Sequence, residues 1–173
     1  TVEAKFADKN GSAQSTDVQI DGVPAVDQVK SQGCWAAALT MLISFQRKAT
    51  MPIETVLAEG GPEYVEKYQS NGGIKPSEIA ALKDTFKLRD ASSGAITLAS
   101  LSSRLSERGP LWIAVDDDPS QQFSAHARVI TGLKGNMVRF IDPDGGVEGE
   151  EEFVVLVRQL NELSKGVRSA FGG

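Results

Sequence analysis

The chain has 173 residues, 40% of them hydrophobic and 24% charged, with a formal net charge of -5 and a pI of about 5.0. That is the composition of one globular domain with a proper core, and it excludes disordered and collagen-like chains. No basic stretch points to nucleic acid, and no stretch approaches the roughly 18 apolar residues of a membrane helix.

The single cysteine excludes a disulfide within the chain, and one Cys with one His cannot supply the four ligands usual for structural zinc. No cofactor or metal is expected. The chain starts Thr1-Val2-Glu3, without the features of a signal peptide and without an initiator Met, so a processed or excised piece is expected.

Residues 1–17 are polar and read as a flexible leader, and 18–173 as a single domain. Val18 to Val23 alternates weakly and suggests a short extended piece. A loop with turn residues follows, Pro24 to Gly33. From Cys34 apolar residues recur at helical spacing through Trp35, Ala38, Leu39, Leu42, Ile43 and Phe45. This predicts a buried helix of about 14 residues ending near Lys48, with Ser31 as candidate cap. Pro52 to Ala58 and Glu63 to Tyr68 predict further helical turns, separated by Gly60-Gly61-Pro62. Asn71-Gly72-Gly73 reads as a turn. Pro76 opens a helix carrying Ile79, Leu82 and Phe86, and Thr97 to Arg108 another with Leu98, Leu101 and Leu105 on one face.

Gly109-Pro110 marks a switch from this helical half (18–108) to a sheet half (109–173). Leu111 to Val115 reads as a buried strand, closed by Asp116-Asp117-Asp118-Pro119. That acidic turn invites a metal reading, but adjacent carboxylates cannot all face one ion. Ala125 to Leu133 and Met137 to Ile141 read as a hairpin about Gly135-Asn136, and Asp142 to Gly146 as a tight loop. The acidic run Glu148 to Glu152 reads as a solvated loop or helix start. Phe153 to Leu163 fits a closing strand or helix, with helix favoured from Leu156. Helices first and antiparallel strands second is an α+β layout.

Two residues stand out for chemistry. A thiol becomes a strong nucleophile as thiolate, which a helix N-terminus and a nearby imidazole both favour. Cys34 sits at a helix start, and His126 is its only possible imidazole partner. Taken alone, Cys34 reads as a core cysteine and His126 as an ordinary strand histidine.

Their surroundings resemble papain-like cysteine proteases. Gln28-Val29-Lys30-Ser31-Gln32-Gly33-Cys34-Trp35-Ala36-Ala37 is similar to that family's nucleophile segment, with Gln six residues before Cys and Trp after it. His126-Ala127-Arg128-Val129-Ile130-Thr131-Gly132 is similar to its histidine strand. Val138-Arg139-Phe140-Ile141-Asp142-Pro143 is similar to the strand bearing the third member. The size and the Asp-Pro ending are nearer to bacterial papain-like and C39-like peptidases than to plant enzymes. The resemblance covers about a third of the chain.

The resemblance implies a papain-like fold and hydrolysis of peptide bonds through a thioester. It assigns Cys34 as nucleophile, His126 as general base and acid, and Asp142 as orienter of the ring, with Asp144 as a rival. Gln28 would donate to the oxyanion together with the Cys34 N–H, with Gln32 as a competitor. Trp35 and Trp112 read as core. A protein or peptide substrate, a monomer, and a dedicated inhibitor or immunity protein are expected. So is secretion or delivery from a bacterium, acting in the cytoplasm of a target cell. Competing readings are an NlpC/P60-like cell-wall amidase, a transglutaminase-like transferase and a non-catalytic binding module on the same fold.

Overall fold

The computed structural model describes residues 16–90, 96–116, 125–163 and 170–172. Most of the leader and the loop after Asp116, with Asp117, Asp118 and Ser120, lie outside these residues.

The helix that begins at the cysteine is α1 (Cys34–Arg47), and every residue from Cys34 to Ser44 is buried. Its sequence is apolar or small all round, as a helix enclosed on all sides requires. Thr40 is tolerated there because its hydroxyl donates to the Ala36 carbonyl at 2.8 Å. Lys48, left-handed at φ 55°, ends it. Three helices follow: α2 (Ile53–Ala58), α3 (Pro62–Gln69) and α4 (Pro76–Thr85). They pack Ile53, Val56, Leu57, Tyr68, Ile79 and Leu82 around α1 in one core. Next, α5 (Leu98–Arg108) is capped by Thr97, whose hydroxyl accepts from the Ser100 N–H at 3.0 Å.

The strands are β1 (Val18–Gln19), β2 (Arg89–Asp90), β3 (Leu111–Asp116), β4 (Ala125–Lys134), β5 (Met137–Asp142), β6 (Val147–Glu152) and β7 (Ala170–Gly172). Among the described residues they form one antiparallel sheet in the order β2-β7-β3-β4-β5-β6, with β1 also paired to β4. Side chains alternate across β3. Trp112 and Ala114 enter the core of α1, while Leu111, Ile113 and Val115 enter a second core with Leu101 and Leu105 of α5 and Leu156 and Leu160 of α6 (Phe153–Leu163). Burial on both faces explains why this strand reads as an unbroken apolar run. The architecture is α+β, as expected. Trp35 and Trp112 are fully buried, and the Trp112 indole donates to the Trp35 carbonyl at 3.2 Å, pinning the sheet to α1.

Three expectations are corrected. The acidic run is not a loop or helix start but β6, paired with β5 from Met137↔Glu152 to Asp142↔Val147. Its glutamates find cations: Glu151 takes both terminal nitrogens of buried Arg128, at 3.1 and 2.9 Å. The closing helix starts at Phe153, not Leu156. Ser31 does not cap α1. The N-cap is Gly33 with no side-chain hydrogen bond, and the Ser31 hydroxyl instead accepts from Asn71 Nδ2 at 3.0 Å.

Candidate active site

Antiparallel pairing puts the start of β4 and the end of β5 at the same end of the sheet, so His126 and Asp142 become neighbours. His126 Nε2 lies 2.7 Å from Asp142 Oδ1. The Asp144 N–H donates to the same oxygen at 2.9 Å, fixing the carboxylate. Asp144 itself is exposed, and among the described residues its side chain makes no hydrogen bond to the ring.

With Nε2 engaged, Nδ1 is left for the thiol. Cys34 opens α1 and is buried, close enough to His126 to act on its charge. Burial pulls the histidine pKa down. The hydrogen bonds and charges of Cys34 and Asp142 outweigh it and raise the value from 6.5 to about 9.

Gln28 is buried in the loop before α1. Its Nε2 donates one hydrogen to the Ser31 carbonyl at 3.0 Å, leaving the second available, and its Oε1 has no partner among the described residues. The Gln28 N–H donates to the Pro143 carbonyl at 2.8 Å, directly after Asp142. Gln32 points elsewhere. It is exposed, its N–H donates to Asn71 Oδ1 at 2.8 Å, and its side chain lies against Gly73. The Cys34 N–H has no acceptor among the described residues, in keeping with a helix start that lacks a side-chain cap.

A family model described as papain-like cysteine protease AvrRpt2 matches residues 15–160. The chain belongs to that family. It is a papain-like cysteine protease, and the four residues that the motifs single out sit within the matched span. No curated protein matches the chain. Among the described residues of this protease, no group of three or more His, Cys, Asp or Glu side chains is placed to hold a metal. No helix there is long and apolar enough to cross a membrane.

Two supports of this candidate site carry no sequence signal. Tyr68 of α3 donates to the Gln28 carbonyl at 2.8 Å across 40 positions. Asn71 bridges Ser31 and Gln32 from a turn that reads only as punctuation, and the Trp35 indole donates to the Gly72 carbonyl at 3.0 Å.

Proposed function

We propose that this protease cleaves peptide bonds with Cys34 as nucleophile, His126 as proton carrier and Asp142 as orienter of the ring. The observation that carries the reading is the His126–Asp142 contact of 2.7 Å on a histidine held at about 9 by its two partners. At neutral pH His126 keeps a proton, and the sulfur of Cys34 is the nucleophile.

Cys34 Sγ attacks the scissile carbonyl carbon and the C=O electrons move onto oxygen. The Gln28 amide and the Cys34 N–H stabilise that oxyanion. His126 gives its proton to the leaving amine, the C–N bond breaks and a thioester remains. Water then attacks the thioester, His126 takes its proton, and collapse releases the acid and restores the sulfur–imidazolium pair. Asp142 keeps Nε2 engaged throughout, so Nδ1 stays aimed at sulfur.

Family membership favours a protein substrate over the cell-wall amidase reading. The family is of bacterial effector type, and that supports a delivered enzyme acting inside a target cell; a monomer and a dedicated inhibitor covering the cleft are part of the same proposal. The test is proteome-wide mapping of new N-termini after exposure to wild type and to Cys34→Ala. New termini with a shared sequence context are expected from wild type alone. The same termini from Cys34→Ala would refute the proposal.

A further inference from the structure

Val29, directly after Gln28, has φ 64°. A β-branched residue there is strained, since its Cβ crowds the backbone. The Lys30 N–H donates back to the Gln28 carbonyl at 2.6 Å, closing a γ-turn of the uncommon positive-φ kind. The Val29 side chain is 77% exposed, so its own packing does not offset the strain.

What holds the turn must come from elsewhere. The Gln28 carbonyl takes a second donor, the hydroxyl of Tyr68, at 2.8 Å. Tyr68 is buried, and its ring lies where a Cβ on Gly33 would come within 2.8 Å of it. Burial, with the charges of Glu54 and Asp27, pushes its phenol pKa up, so the hydroxyl keeps its proton and stays a donor. The other polar backbone group of Gln28 is held by the Pro143 carbonyl. Strain persists where the surroundings over-determine a conformation, and here it sits beside a residue of the site.

We propose that Tyr68 is a positioning residue, whose hydroxyl keeps the strained turn at Val29 closed and so keeps the Gln28 amide aimed at the oxyanion. The inference rests on the assignment of Gln28 as an oxyanion donor. Tyr68 touches no reacting atom and acts through the Gln28 backbone.

Tyr68→Phe keeps the ring against Gly33 and deletes only the donor. The substrate is an internally quenched peptide spanning a cleavage site returned by the N-terminus mapping. We expect kcat to fall about tenfold with KM changed by less than about twofold, the signature of an interaction made in the transition state. Alkylation of Cys34 by iodoacetamide, which forms no oxyanion, proceeds at the wild-type rate. Glycine takes positive φ without strain, so the same Tyr68→Phe change costs less kcat in a Val29→Gly background. Wild-type kcat in Tyr68→Phe overturns the inference, as does an equal loss in both backgrounds or a parallel loss of alkylation. Gln28→Ala separates the two levels. Wild-type turnover in Gln28→Ala removes the oxyanion assignment itself, whereas loss there with none in Tyr68→Phe removes only the role of Tyr68.

Discussion

His126 is where the charges of the site meet, and its pKa has a measurable consequence. A value raised from 6.5 to about 9 means that the folded chain holds the proton more tightly than the unfolded one. Its contribution to stability is therefore complete below pH 6.5 and is lost as pH rises through about 9. Activity should follow the same group, flat through neutral pH and falling on an alkaline limb near 9. Asp142→Asn keeps a hydrogen-bonding partner and removes the charge. The alkaline limb of kcat/KM should then move down by about one unit or more. A limb that stays in place would separate Asp142 from the titration of the ring. The histidine was legible in the sequence as the only one of its type. The resemblance preferred Asp142 but kept Asp144 as a rival, because both lie in one short acidic turn, and the folded loop brings Asp142 against the ring.

At the scale of elements, β6 shows what local pattern misses. Val147–Glu152 is acidic and glycine-bearing, which propensity reads as unsuited to a strand. It forms because the turn at 143–146 returns the chain along β5 and because cations await its glutamates. Buried Arg128 of β4 grips Glu151 with both terminal nitrogens, donates to Gln159 Oε1 on α6 at 2.9 Å, and lies 4.5 Å from the Phe140 ring centroid. Removing one partner of a buried pair strands the other. Arg128→Met should therefore cost about 3 kcal/mol, or roughly 6–12 °C in Tm for a chain of this size. Adding Glu151→Leu should recover part of that loss, because no charge is then left unpaired. Denaturant unfolding of both variants checks this, and a double variant no more stable than the single one would count against it. The helices from α1 to α5 were visible in advance since their apolar periodicity and their opening prolines are local, although the cap expected for α1 was not the one that formed. The weak alternation from Val18 pointed to β1, whereas the two-residue strand β2 carries no such signal and exists only through pairing with β7.

At the scale of the whole molecule, the sheet is a wall shared by two cores, with α1–α4 on one face and α5 and α6 on the other. The proposed site lies at the seam, where α1 and the loop before it supply Cys34 and Gln28 and the sheet supplies His126 and Asp142. Trp112 to Trp35 and Gln28 to Pro143 are hydrogen bonds across that seam, joining the two sets of residues. The order Cys, His, Asp was legible in sequence, but the supports from Tyr68 and Asn71 were not, since they depend on how α3 packs beneath the loop. In the proposed mechanism, Cys34 carries the acyl group during turnover. Acid-quenched wild-type protein, caught during turnover of the cleavable peptide, should be mapped by mass spectrometry. The N-terminal part of the substrate should be held on Cys34 by a thioester that hydroxylamine removes, and Cys34→Ala should show neither adduct nor cleavage. Full turnover by Cys34→Ala would contradict that mechanism.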